Sequence, residues 1–440
     1  MSQVEFTRKA EQLQVFFSDM AEVVSRETGF VQRGSKMNGA CFVQTLVLGW
    51  LDNPEASLNQ LIQVSADLGV NISAPGLQQR LTPAAVRFLK ALWQQALGCF
   101  RERVRLPDEV LRHFSAVNIV DSSLFELPAA LRAYFPGAKI NTKPAELKVQ
   151  LSFDYLSGNI NGLELLAGRT PDQNSHLPTT WAKKDSLTLF DLGFFKKTRF
   201  EAIADLDGYF ISRFQTQTGL YAQPTSPKAL DVLAVLTATP ASGGEMTVYL
   251  KAKYPLKVRL IYSRLPESGV AERRRKAHAN ARRRGETCSQ RHLDLLAWSL
   301  FITNVPSDWL SVAQVILLYR VRWQIEIVFK LWKSQAKLDG IGRRGLERVM
   351  CQFYARLLGL IVFHWSVAPA HCLPLTDLSL SKAFKVLQRH VLRLVDAIAN
   401  HWRDVATLLA KITRDFQRFA LKNRRRKSPS TYQLLVNSGA

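Results

Sequence analysis

Acidic residues are scarce in this 440-residue chain, with 36 Asp and Glu against 59 Lys and Arg. The net charge of +23 repels itself unless a polyanion offsets it, and nucleic acid is the commonest polyanion. Cysteines are also few. The five present (Cys41, Cys99, Cys288, Cys351, Cys372) are scattered, with no C-x-x-C pair, which argues against a disulfide frame or a zinc knuckle. The eight histidines show neither H-x-H nor H-E-x-x-H spacing, so any bound metal has to be held by carboxylates. Oxygen ligands favour Mg²⁺ or Mn²⁺ over zinc. No apolar run reaches the ~18–20 residues of a membrane span. The best candidate, Leu357 to Val367, is broken by His364 and preceded by Arg356. The N-terminus lacks an apolar signal core, and no internal repeat is visible. The expectation is a cytoplasmic, nucleoid-associated protein with no membrane partner. Apolar residues at 47% and charged residues at 22% are ordinary globular values, which excludes a disordered or fibrous chain.

The first ~100 residues read as helical. Ser57 caps Leu58-Asn-Gln-Leu-Ile-Gln-Val-Ser-Ala-Asp-Leu, a run that stops at Gly69. Ser73 and Pro75 open a short helix carrying Gln78, Gln79 and Arg80, and Thr82-Pro83 opens another. This is a helix-turn-helix cadence, and Gln and Arg suit base edges. Helix pairs in bundles that touch no DNA share the same cadence. From about residue 110 the period changes. Ala116-Val-Asn-Ile-Val-Asp121 is a short apolar run ending in a carboxylate, and Lys148-Val-Gln-Leu-Ser-Phe-Asp-Tyr alternates with period two. Leu163-Glu-Leu-Leu follows a turn, and Leu187-Thr-Leu-Phe-Asp191 is another strand ending in Asp. A helix over Thr198 to Leu206 and a strand over Tyr209 to Phe214 complete an α/β reading. Residues 217 to 305 look inserted, with strand-like stretches around a basic segment that holds Arg273, Arg274, Arg275, Arg282, Arg283 and Arg284. A long amphipathic helix is expected from Ser311 to Lys337. The helical remainder ends in a second basic cluster, Arg424-Arg425-Arg426-Lys427. Charge runs usually mark solvated surface, but in so basic a chain phosphate contact is the favoured reading for both.

Tyr319, Arg322, Glu326 and Lys333 sit at offsets that place them within roughly 60° of one another on a helix, with Lys330 and Lys337 alongside. Taken alone, such a face is an exposed stripe with i,i+4 ion pairs such as Glu326 with Lys330. Asp121 and Asp191 each end an expected buried strand, however. Carboxylates from two strands and a helix can hold two divalent ions for phosphoryl transfer, with nearby Arg, Lys and Tyr on the phosphates. Asp154, Asp172, Asp205 and Asp207 compete for the second position, but each suits a turn, loop or cap better.

Tyr319-Arg320-Val-Arg322-Trp-Gln-Ile-Glu326-Ile-Val-Phe-Lys-Leu-Trp-Lys333 matches Y-(2)-R-(3)-E-(6)-K without a gap. It resembles the signature of DDE transposases of the bacterial insertion-sequence-four family. Val120-Asp121-Ser-Ser is similar to that family's first aspartate block. Phe190-Asp191-Leu-Gly-Phe-Phe, followed by Gly208-Tyr-Phe-Ile-Ser-Arg213, is similar to the second, and Thr303-Asn304-Val-Pro306 fits the lead-in to the glutamate helix. The resemblance spans about residues 35 to 365.

The resemblance implies a ribonuclease-H-like core, residues 109–345, with a β-rich insertion at about 217–305. A helical DNA-binding region, 1–108, would precede it and a helical region, 346–440, would follow. It makes Asp121, Asp191 and Glu326 the catalytic, metal-binding triad for Mg²⁺, with Mn²⁺ substituting. Tyr319, Arg322 and Lys333 become contacts to DNA phosphates near the transferred end, and Lys330, beside them on the helix, is a further expected DNA contact. Trp298 occupies the place where some relatives stack an aromatic on a flipped base, the alternative being an ordinary strand-core tryptophan. The implied activity is excision of a DNA element and its insertion into target DNA, with double-stranded DNA as partner and a homodimer in the synaptic complex. The alternatives are a catalytically silent DNA-binding relative and a structure-selective nuclease on the same core.

Overall fold

A computed structural model describes residues 3–34, 36–100, 110–139, 142–239, 242–341, 345–367 and 378–423. The C-terminal basic cluster at 424–427 and the 108/109 boundary lie outside the described residues. The described chain divides into two compact units. One draws on residues 1–106, 122–170 and 324–429, the other on 107–121 and 171–323.

In the first unit the helices begin where their capping residues place them. The Ser57 hydroxyl accepts from the Gln60 N–H while the Gln60 side chain accepts from the Ser57 N–H, opening Leu58–Asp67 with a capping box. Ser73 caps Ala74–Gln79 and Thr82 caps Pro83–Cys99. Gly69, at φ +76°, makes the left-handed turn after the first of these, which disfavours any residue with a Cβ. Two further helices, Gly39–Asp52 and Leu346–Val367, are buried almost throughout. They approach closely at Gly359, where a Cβ would meet Leu51 Cβ at 3.4 Å and the Val47 carbonyl at 3.6 Å. The apolar run Leu357 to Val367 is therefore core. No helix among the described residues is long and apolar enough to cross a membrane.

Strand β1 spans Ala116–Glu126, and the division between the units falls inside it, after Asp121. Its second half belongs to the first unit, with β2 (Pro136–Lys139), β3 (Lys143–Asp154) and β4 (Ile160–Ala167). Both β2 and β4 pair antiparallel with β3. Alternation in β3 suggests one wet face, but the strand is buried on both from Ala145 to Asp154. Two residues of its polar side are satisfied internally. Glu146 accepts from the Ala138 N–H at 3.0 Å and Lys148 donates to the Thr170 carbonyl at 2.5 Å.

The second unit holds the first half of β1 with β5 (Ser186–Phe190), β6 (Tyr209–Arg213), β7 (Leu220–Tyr221), β8 (Gly243–Lys251), β9 (Pro255–Arg264) and β10 (Trp298–Thr303). Their order is β1-β5-β6-β10-β9-β8-β7. The first three are parallel and the rest antiparallel to their neighbours. The stretch expected as an insertion thus supplies β7 to β10, and β10 hydrogen-bonds directly to β6. Aromatic packing fills the core beneath this sheet. Phe200 stacks on Phe190 and Phe210 at 5.5 and 4.5 Å between ring centroids. The fold is of the mixed α/β class expected, with helices before and after the strands among the described residues.

Two elements differ from expectation. Asp121 does not end its strand: β1 continues through Ser122 and Ser123 to Glu126, and beyond it the Leu127 N–H still bonds the Ala145 carbonyl of β3. Pairing with a neighbour overrides the turn tendency of two serines. The helix expected over 311–337 is two helices, Val312–Arg320 and Trp323–Ser334. Between them the chain tightens, with the Val321 and Arg322 N–H groups bonding the Leu318 and Tyr319 carbonyls three residues back.

Candidate active site

The register of β1 and β5 sets Val120 opposite Phe190. The next residue after each is an aspartate, so Asp121 and Asp191 follow the last paired residues of two neighbouring parallel strands, at the same edge. Asp191 directly follows β5 and opens the short turn Leu192–Phe194, where its carbonyl accepts from the Phe194 N–H at 3.0 Å. Both aspartates are half-buried.

Each aspartate meets one residue of the Y-R-E-K set. The Arg322 guanidinium donates to Asp121 Oδ2 at 2.7 Å in a pair whose side chains are only 8% and 17% exposed. Arg322 is flanked by the Tyr319 and Trp323 rings at 5.9 and 5.8 Å. The Tyr319 hydroxyl lies 3.5 Å from both Asp191 Oδ1 and the Phe190 carbonyl. Burial, and then the charge of Asp191, hold this phenol well above the usual tyrosine range, so it stays protonated and can only donate towards the carboxylate. Tyr319 is buried and faces inward, so in this conformation its hydroxyl is turned to Asp191 and not to solvent.

Glu326 occupies the first turn of Trp323–Ser334, four residues past Arg322 and within the first unit. On the same helix Lys333 donates to the Leu124 carbonyl of β1 at 2.6 Å, with its ammonium 5.0 Å from the Phe125 ring. Lys330 is exposed, as are Trp323 at 59% and Ile327 at 45%. Asp121 and Asp191 offer only carboxylate oxygens, the donor type that suits a hard divalent cation. Among the described residues no three Asp, Glu, His or Cys side chains are gathered tightly enough to enclose an ion by themselves.

The competing carboxylates have other work. Asp154, the last residue of β3, accepts from the Ser157 hydroxyl at 2.5 Å and from the Leu156 N–H, and so braces the turn that follows. Asp205 caps Lys197–Ala204 and accepts from the Tyr254 hydroxyl at 2.6 Å, while Asp207 is a left-handed turn residue at φ 52°. Trp298 is enclosed, packed edge-on against Tyr262 at 6.0 Å in the core of the second unit, which is the strand-core placement. In the short N-terminal helix, Gln78 accepts from Arg348 at 2.7 Å and Arg80 donates to the Met37 carbonyl at 3.3 Å, leaving Gln79 exposed. The basic segment is a helix, Glu267–Arg284.

One residue goes unnoticed in the sequence. Arg199, 5% exposed, donates to the Phe194, Gln173 and Ser175 carbonyls. Burial pulls its guanidinium down to about 10, against partial support from Asp172. It thereby ties the turn that follows Asp191 to the 172–175 loop. The only signal was an arginine set among phenylalanines in Phe194-Phe-Lys-Lys-Thr-Arg199-Phe.

The family model for the transposase DDE domain matches residues 112–362, more than half of the chain and all of the strands that carry the two aspartates. The chain belongs to the DDE transposases. It is similar to the transposase for insertion sequence element IS1151 of Clostridium perfringens, at 28% identity over 94% of this chain and 92% of that one. The transposase for insertion sequence element IS231F of Bacillus thuringiensis subsp. israelensis is 27% identical, over 97% of this chain and 94% of its own length. Among solved structures, the piggyBac transposase in a synaptic complex with hairpin DNA aligns at a TM-score of 0.45 and 9% identity, covering 97% of this chain and 84% of that one. This DDE transposase is accordingly an enzyme of DNA cleavage and strand transfer.

Proposed function

We propose that this transposase cuts double-stranded DNA at the ends of its insertion element and joins them to target DNA, with Asp121, Asp191 and Glu326 as the catalytic carboxylates. The observation that carries this reading is the placement of Asp121 and Asp191 at the same edge of two neighbouring parallel strands, each engaged by a residue of the Y-R-E-K set. The three carboxylates would hold Mg²⁺, with Mn²⁺ able to substitute. A bound divalent ion supplies activation of the attacking oxygen and charge stabilisation at the leaving oxygen.

The protein's own groups supply the rest. Tyr319 orients the Asp191 carboxylate, and Arg322 balances the charge of Asp121 until a phosphate shares it. Lys333 fixes β1 beyond Asp121, while Lys330 and Gln79 are free to approach DNA. In cleavage a water oxygen bonds to phosphorus and the 3′-oxygen leaves. In strand transfer that 3′-hydroxyl loses its proton and bonds to a target phosphorus in line, while the target's 3′-oxygen leaves. We infer further that two copies pair in the synaptic complex and that the +23 charge holds the protein on the nucleoid.

The test is a cleavage assay on a duplex carrying the element's own end, comparing wild type with Glu326→Gln under Mg²⁺, Mn²⁺ and EDTA. Metal-dependent nicking at the element boundary by wild type, with binding but no cutting by the variant, is the expected result. If Glu326→Gln retains cleavage, the triad assignment is wrong. Equal cutting of a scrambled end would instead indicate a structure-selective nuclease.

A further inference from the structure

The helix Glu267–Arg284 carries seven Arg and Lys residues against two Glu, and none of its residues is buried. Its cations fall into two groups. Arg273 donates to the Trp298 carbonyl at 2.9 Å and to the Ser299 hydroxyl at 3.0 Å. Arg274 donates to the Leu293 carbonyl at 3.2 Å and to Asp294 at 3.3 Å. These two arginines fasten the helix to β10 and to the neighbouring helix Gln290–Leu295. Burial, and then Arg213, hold the Arg273 guanidinium below its ordinary value, as expected for a charge facing the protein.

The other group faces water. Arg275, Arg282, Arg283 and Arg284 are exposed, and no ion pair or hydrogen bond joins their side chains to any described residue. At about 100° per residue, Arg275 and Arg282 differ by only about 20° around the axis, with Arg283 about 80° from Arg275. Arg273 lies about 160° and Arg274 about 100° from Arg275, and both turn to the protein. The single acid on the outer face, Glu272, is matched by Lys276 at 2.6 Å. Arg282 to Arg284 lie in the last turn, where cations complement the helix dipole, but Arg275 is mid-helix and gains nothing from that end. Arg275 and Arg282 stand about 10 Å apart along the axis, a spacing that lets them reach separate phosphates.

We propose that the outer face of this helix, through Arg275, Arg282 and Arg283, is a sequence-independent contact for the phosphate backbone of double-stranded DNA, separate from the carboxylate site, while Arg273 and Arg274 only anchor the helix. The proposal rests on the reading of DNA as substrate. It goes further in assigning which arginines meet DNA and in making the contact indifferent to sequence. Guanidinium groups with no protein hydrogen bond, on an element held by two inward arginines, match a polyanion by charge and by spacing.

The experiment measures binding of the full-length protein to an element-end duplex and to a scrambled duplex across a salt series. Wild type is compared with the triple variant Arg275→Gln/Arg282→Gln/Arg283→Gln. Loss of three phosphate contacts lowers the slope of log K against log salt by about 2.7. The fall is expected to be equal for both duplexes, with single-turnover cleavage at saturating DNA and the melting temperature both as in wild type. In contrast, Arg273→Gln is expected to lower the melting temperature, because it releases the helix from β10. An unchanged slope in the triple variant overturns the proposal, as does a loss confined to the element end. Tighter binding of an RNA duplex with the same slope change overturns DNA as the occupant. If wild type binds both duplexes with the expected slope change yet never cuts the element end, the catalytic reading fails and the contact stands.

Discussion

Replacing Arg199 with methionine tests how the Asp191 edge is held. The guanidinium satisfies three buried carbonyls, those of Phe194, Gln173 and Ser175. Each buried acceptor left without a donor costs about 1–3 kcal/mol. Against this stands relief from burying a charge, a cost visible in the lowered value of about 10. The net expectation is a destabilisation of about 2–4 kcal/mol, because three acceptors lose their donor while only one desolvation cost is recovered. The effect on chemistry follows from the turn itself. Asp191 and Phe194 close it through one hydrogen bond, and Arg199 holds the far end. With that tie gone Asp191 is free to shift, and a misplacement of about 1 Å costs on the order of 100-fold in rate. Single-turnover cleavage at saturating element-end DNA should therefore drop by about that factor, with end-binding affinity unchanged and Arg199→Lys intermediate. The burial cost is fully present below about pH 10 and is relieved only as pH rises from about 10 towards the ordinary arginine value, so the deficit should be flat between neutral and mildly alkaline pH. Cleavage at the wild-type rate by a variant destabilised to this extent would refute the coupling of Arg199 to Asp191.

Tyr319→Phe removes the donor facing Asp191 and is expected to slow cleavage about 10-fold with end affinity unchanged, as checked by single-turnover kinetics. Because the fold holds this phenol above its ordinary value, its stabilising contribution is complete below about pH 10 and is lost only as pH rises through the higher folded value. Wild-type and Tyr319→Phe pH profiles should therefore run parallel below that point. Arg322→Gln leaves Asp121 without its guanidinium partner and should cost about 3–5 kcal/mol if the pair behaves as fully buried. Thermal melts should show that loss in EDTA and a narrower gap from wild type in saturating Mg²⁺. An identical gap under both conditions would mean that Asp121 holds no metal.

Local chemistry decides much of this protein, and that part is legible in the sequence. Ser57, Ser73 and Thr82 announce helix starts because their hydroxyls meet N–H groups only three residues away. Asp191 is legible as a strand end for a similar reason, since the short run Leu187-Thr-Leu-Phe190 before it alternates within one buried strand. The Y-R-E-K spacing survives as a motif even though the helix beneath it tightens at Val321 and Arg322.

What tertiary structure alone decides is which of these side chains are free. Nothing local tells that Ser122 and Ser123 continue a strand, since the neighbouring strand is β3, beyond β2 in the chain. The same holds for Tyr319, which turns to Asp191, for Arg80, turned to Met37, and for Arg273, turned to Trp298, while Arg275 two residues later faces water. Composition and spacing settle the kind of chemistry because charge, caps and helical period act over a turn or less. The assignment of each cation to structure or to DNA waits on the fold, because its competing acceptors are carbonyls and carboxylates far away in the chain.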